Sequence, residues 1–294
     1  MPSWDDFQPF IVTGLALGGV YALSGVGMVV LYRATGVLNL AFGAVGAMGA
    51  LIAWSLINKA HTAQGVAFVV AIVFSIAVTM LYGVIFGPVL ADRDPLVKAT
   101  ATIGLTLILL GTMSWIWSDK ARSLTLPTTN HTYTVGLIFI NWTQIIAFAL
   151  GIIVAVGTTL FLRFTKLGTA MRALANDREI TASLGVPVRR VEAAAWFGCG
   201  LLSGVSGLLL ANLVGLDAST LTFLVISSLA AALIAQLRSI IITLLAGLVV
   251  GLVNALITPI LSISAYRDMT PFILAIVAVL VLARRGDMSA RRIV

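Results

Sequence analysis

Charge is scarce in this chain: Asp, Glu, Lys and Arg make up only 10% of its 294 residues. A soluble globular domain carries about 25%. So few charges cannot cover a water-facing surface, and lipid must solvate much of the chain. Cysteine is nearly absent. Cys199 stands alone in an apolar run, which excludes an intrachain disulfide and leaves no metal-ligand spacing; it reads as a small packing residue. The two histidines, His61 and His131, lie in polar segments between apolar runs. Each reads as a solvated loop residue rather than a ligand. There is no Gly-x-x-x-x-Gly-Lys-Ser/Thr phosphate loop, which excludes ATP hydrolysis by that route, and no His-Glu-x-x-His zinc motif. No nucleophile has an evident base. The opening Met1-Pro2-Ser3-Trp4-Asp5-Asp6 lacks the positive residue that starts a cleaved signal peptide, so the first apolar run is expected to be retained as a transmembrane helix.

What the chain has is apolar length: 60% of its residues are hydrophobic. About 20 apolar residues cross a hydrocarbon core. Stretches free of Asp, Glu, Lys and Arg run from Phe7 to Tyr32, Ala34 to Asn58, Ala60 to Ala91, Ala99 to Ser118, Ser123 to Leu162, Ala193 to Leu216, Ala218 to Leu237, Ser239 to Tyr266 and Met269 to Ala283. The fifth has a polar lead-in, Pro127 to Thr132, which places its helix start near Asn141. Two segments, Leu221 to Leu237 and Thr270 to Ala283, read as broken or re-entrant. The expected fold is all-α: one polytopic transmembrane bundle over residues 1–294, with about 8–10 spans.

The net charge of +7 could suggest nucleic acid, but the basic residues are scattered between apolar runs. Topology explains them better, and no nucleic-acid partner is expected. With the Arg163 to Arg190 loop in the cytoplasm and nine alternating spans, fourteen of the 18 basic residues fall inside, Arg285, Arg291 and Arg292 among them. Only Lys59, Lys120, Arg122 and Arg267 fall outside. The N-terminus is then external and the C-terminus cytoplasmic. Glycines recur at four-residue spacing in Gly14/Gly18, Gly200/Gly204 and Gly247/Gly251. Such pairs let helix backbones approach closely, within one bundle or, as the minority reading, between subunits.

The spans hold almost no ionisable side chain. Ion-coupled transporters place a carboxylate or histidine inside the bundle. Asp217 comes nearest, at the expected external end of a span. Uphill transport would therefore draw its energy from a partner at the cytoplasmic face.

The cytoplasmic loop, about residues 163–190, has its own punctuation. Asn176 can cap a helix, with Glu179 three residues on as in a capping box. Gly185 suits a left-handed stop, and Pro187 blocks continuation. Ile180 and Leu184 share one face. A helix of about two turns is marginal alone in water, so its apolar face should dock. It either lies against the bundle or headgroups, or inserts into a partner's groove. Leu174, Asn176, Asp177, Glu179, Ile180, Ala182, Leu184 and Gly185 are the candidate coupling residues.

These residues bear a family resemblance. Gly14-x-x-x-Gly18-x-x-Tyr21-Ala22-Leu23-x-x-x-Gly27 continues to Tyr32-x-x-x-Gly36-Val37-x-Asn39-x-Ala41-x-Gly43. The loop follows, with Gly168, Ala170, Arg172, Ala173, Asn176 or Asp177, Ala182, Gly185 and Arg190. A looser element joins Gly87-Pro88, Asp92-Arg93-Asp94 and Thr102-Ile103-Gly104. The chain resembles the permease subunits of branched-chain amino-acid ABC importers, the LivH type. The resemblance implies discontinuous helices around a central path, a second related permease, two cytosolic ATPases, an external solute-binding protein and a prokaryotic inner-membrane location. No cofactor is expected on this chain, with ATP and Mg bound by the ATPases. It also makes the short loop helix the coupling helix. Phe42 and Ala44 replace a His and an acidic residue of the family pattern, and Gln236 to Ile241 replaces a glycine-rich turn. Those changes suit a more apolar ligand, or leave the polar contacts to the partner permease.

Polar residues inside spans are candidates for the path: Tyr21, Ser24, Asn39, Thr102, Thr106 and Asn254. For any one of them, bonding between helices or to its own backbone is the competing reading. Rival functions are an importer of urea, short amides or other small organic solutes, and an ATP-independent transporter or channel. A membrane enzyme is least supported, since no catalytic constellation is present.

Overall fold

The structure is a computed structural model that describes residues 4–91, 93–118, 120–130, 132–135, 138–260 and 269–284. Met1 to Ser3, Asp92, His131, Arg267, Arg285, Arg291 and Arg292, which carried readings above, lie outside the described residues.

Helix α1 (Trp4–Thr35) is the axis of the bundle. Its 32 residues span about 48 Å, longer than a hydrocarbon core. Helix α2 (Phe42–Asn58) follows, then α3 (Gln64–Leu90) and α4 (Pro95–Trp117). A short hairpin pairs β1 (Thr132–Val135) with β2 (Ile138–Asn141), antiparallel, with Thr132 opposite Asn141. Helix α5 (Trp142–Phe164) starts where its polar lead-in ends, and Asn141 and Gln144 close a reciprocal capping box. Helices α6 (Lys166–Asn176) and α7 (Arg178–Ser183) form the loop between α5 and α8 (Val188–Leu213). Next come α9 (Ala218–Phe223), α10 (Val225–Ile234), α11 (Ile240–Ile257) and α12 (Thr270–Arg284).

Among the described residues, α1, α3, α4, α5, α8 and α11 are each long and apolar enough to cross a bilayer. Two shorter apolar segments, α2 and the α9–α10 pair, bring the candidate crossings among the described residues to eight, within the expected range; α12 adds a helix of 15 residues. Apolar side chains such as Leu81, Val84, Leu107, Ile108 and Ile153 point outward. A water-facing protein rarely exposes contiguous apolar surface on this scale. Around α3, α4 and α5 it forms the belt that meets lipid.

The interior seam is made of glycine. A Cβ on Gly18 would sit 2.7 Å from the Leu248 Cα, and one on Gly14 would sit 2.9 Å from the Leu252 Cα. From the other side, Gly251 meets the Gly18 backbone and Gly247 meets Ala22. Two of the four-residue glycine repeats therefore face one another across α1 and α11. The third, Gly200/Gly204, seats α8 on α3 at Ile72, Ser75, Ile76 and Thr79. All three repeats pack within the bundle.

Two crossings are interrupted. The uncharged stretch from Ala34 is not one helix: residues 36–41 form a buried connector, opened by Gly36 at φ +67°. The α9–α10 crossing breaks at Leu224, inside the segment expected to be broken. It ends with Gln236 and Leu237 both in the left-handed region, at φ 53° and 55°. Side chains there cost free energy that glycine does not.

Candidate functional site

A cavity of about 670 Å³ lies at one end of the bundle. It is walled by the N-terminal half of α1, the last residues of α8, the α9–α10 break, the last turns of α11 and the start of α12. Small-molecule sites run to about 300–1,000 Å³. Phe10, Leu17, Phe223, Leu224 and Phe272 make most of the wall apolar. Thr13, Tyr21, Ser227, Asn254 and Thr258 add hydroxyls and one amide. Thr13 Oγ1 donates to the Pro9 carbonyl and accepts from Gln144 Nε2 at 3.3 Å, which fixes its direction. Asp217 lies just before α9 and accepts from Thr220 N at 2.8 Å as its N-cap. Its charge is thus spent on a helix end and not placed mid-span.

Of the six path candidates, the structure brings Tyr21 and Asn254 together on this cavity. Ser24 lies on the other side of α9–α10, beside Ser206 and Ser228, around a void of about 10 Å³. That void holds one water at most. Asn39, Thr102 and Thr106 line neither space. Thr102 Oγ1 donates to the Leu38 carbonyl at 3.0 Å and accepts from Leu40 N at 3.1 Å, stapling the connector to α4. Asn39 Oδ1 accepts from Ala41 N at 3.1 Å, and its Nδ2 meets Cys199 Sγ at 3.4 Å. Thr106 donates to its own helix at the Thr102 carbonyl. The cavity residues that sequence reasoning missed, Thr13, Ser219, Thr220, Ser227 and Thr258, are hydroxyls of the kind every span contains. The nearest signal was the broken segment beside them.

Asn39→Ala would leave the buried Ala41 N–H without its acceptor. An orphaned buried donor costs about 1–3 kcal/mol. Thermal melting of this variant should fall by several degrees, and an unchanged melting curve would refute the stapling role.

At the opposite end of the bundle sit α6 and α7. Thr165 caps α6, accepting from Gly168 N at 2.9 Å. Gly168, Met171 and Leu174 bury one face of α6, so Leu174 is a packing residue here. The cap of the next helix falls one residue later than expected. Asn176 ends α6, and Asp177 caps α7 by accepting from Ile180 N at 2.9 Å. The reason is that the amphipathic run of α6 carries through Asn176 and keeps it helical. Glu179 then misses the third position, no capping box forms, and α7 has six residues, close to the two turns expected. Gly185 does take the left-handed stop, at φ +81°. Asp177, Glu179 and Ala182 are exposed, while Ile180 is 60% and Leu184 78% exposed. Arg178 Nε pairs with Glu192 Oε1 at 3.1 Å and ties α7 to the first turns of α8.

Broken helices around an internal cavity, with an exposed amphipathic corner at the far end, define a membrane transport subunit. The chain belongs to the family of permease components of branched-chain amino acid transport systems, whose sequence profile matches residues 10–282. It is 27% identical to the high-affinity branched-chain amino acid transport system permease protein BraD of Pseudomonas aeruginosa, over 71% of this chain and 72% of that protein. It is 26% identical to the corresponding LivH of Escherichia coli, over 70% of this chain and 71% of that one. A probable LivH of Methanocaldococcus jannaschii is 26% identical over 64% of this chain and 61% of its own length.

Proposed function

We propose that this permease works in an ATP-driven importer that carries branched-chain amino acids, or solutes of similar size and polarity, into the cell. The observation that carries the reading is the placement of the cavity and the exposed Ile180–Leu184 face at opposite ends of one bundle. The cavity end faces outward and receives solute from a binding protein. The α6–α7 end faces the cytoplasm and meets an ATPase. A second related permease completes the path, and two ATPases bind ATP and Mg. The charge tally supports this orientation, because it puts the basic Arg163 to Arg190 loop in the cytoplasm. The mostly apolar wall suits an aliphatic side chain, and Asn254 with the nearby hydroxyls suits a polar head.

The test is uptake of radiolabelled leucine into proteoliposomes containing the permease pair, the ATPases and the binding protein. Accumulation should require all of them. Asn254→Leu should lower uptake by about tenfold to a hundredfold, since a lost hydrogen bond to a charged group costs about 1.5–3 kcal/mol. ATP-independent leucine uptake by the permease alone, or a strong preference for urea, would overturn the reading.

A further inference from the structure

We propose that the cleft between α1, α5, α6 and the start of α11 binds the phosphate of an anionic phospholipid. Its volume is about 320 Å³, and four arginines line it: Arg33, Arg163, Arg172 and Arg238. They come from four separate places in the chain and converge on one space. Among the described residues no carboxylate pairs with any of them. Arg33 Nη1 donates to the Arg238 carbonyl at 3.1 Å, and Arg172 Nη2 reaches Thr169 Oγ1 at 3.4 Å. Arg163 stacks on Phe164 with its guanidinium carbon 5.5 Å from the ring centre. Arg33 and Arg172 are near enough to repel. A cluster left uncompensated among the described residues calls for an anion.

Two further features specify which anion. Ile240 and Ile241, the first residues of α11, line the same cleft, and no acceptor for their N–H groups is found among the described residues. Free N–H groups at the start of an 18-residue helix favour phosphate oxygens. The cleft also continues into apolar surface. Ile241, Leu245 and Val249 repeat every fourth residue along α11 and are 53%, 56% and 52% exposed. A headgroup phosphate seated among the arginines would lay its acyl chains along that stripe. A soluble phosphate would leave the stripe unused. Basic pockets between helices at the membrane surface bind lipid headgroups by this combination.

The assignment does not depend on the transported solute, and its test uses neither transport nor ATP. Full-length permease, delipidated in detergent, is offered phosphatidylglycerol or phosphatidylcholine at equal mole fraction and read by native mass spectrometry. The wild type should retain phosphatidylglycerol about tenfold more than phosphatidylcholine. Arg172→Gln with Arg238→Gln should remove that preference, while the lysine pair, Arg172→Lys with Arg238→Lys, should keep most of it. The lysine pair separates loss of charge from loss of fold. An unchanged preference in the glutamine pair overturns the proposal. So does complete displacement of phosphatidylglycerol by millimolar inorganic phosphate, which would make the ligand a soluble anion. If the glutamine pair keeps the lipid but no longer copurifies with the ATPases, the cluster is a subunit contact and the proposal also fails.

Discussion

Replacing Ile180 and Leu184 together with aspartate is expected to abolish solute accumulation while leaving the permease folded. Both side chains stand largely in solvent, so neither contributes to the bundle's own stability. Asp177 holds the helix start and Gly185 the stop, and neither is altered. What changes is the surface offered to a partner. Truncating a central interface anchor costs about 2 kcal/mol or more. Burying a carboxylate in its place adds a desolvation cost of several kcal/mol. Two such changes should weaken ATPase attachment by at least about a thousandfold. Co-elution of permease and ATPase on size exclusion would read the loss, and a melting curve would verify the fold. If attachment and uptake both survive, α7 is a connector and force enters elsewhere.

The second large effect lies at the glycine seam. Gly18→Leu or Gly251→Leu should prevent α1 and α11 from meeting, and most of the protein should aggregate on extraction. Overpacking a core costs about 1–3 kcal/mol when side chains can yield. Here the obstacle is backbone: the Leu248 Cα and the Gly247 carbonyl, 2.7 and 2.9 Å from a Cβ on Gly18. No rotamer relieves that, so the helix axes must separate. Gly111→Leu and Gly157→Leu are the matched controls, because a Cβ at either position meets open space. Both should extract as monodisperse protein, slightly stabilised if anything, since leucine favours a helix interior by up to about 1 kcal/mol over glycine. Equal behaviour of the two sets in detergent gel filtration would refute the seam.

The spans and the glycine pairs were legible because lipid imposes simple demands: length, lack of charge and small residues where backbones touch. The broken crossing at Leu224 could be anticipated from its short uncharged run. The interruption at residues 36–41 could not, because Val37, Leu38 and Leu40 are as apolar as a helix requires. What unwinds that segment is tertiary: Thr102 on α4 bonds Leu38 and Leu40 from outside. Helix α6 was hidden by Lys166, Arg172 and the polar residues between them, which read as loop. Its signals were Thr165 as a cap and the spacing of Leu167, Met171 and Leu174. The hairpin was missed too, although Tyr133-Thr134-Val135 and Ile138-Phe139-Ile140 are rich in strand formers. As for the cavity, hydroxyls occur in every span, and only the assembled helices distinguish Thr13 from Thr106.

The helix that sits deepest is made long before the helix it packs against. The groove of α1 at Gly14 and Gly18 stays empty until Gly247 and Gly251 of α11 have been made. During that interval the nascent polypeptide carries an unfilled notch into the bilayer. Contacts so distant in sequence form late and leave intermediates open to wrong pairing. The insertion machinery must therefore hold α1 aside, or lipid must fill the notch, until α11 arrives.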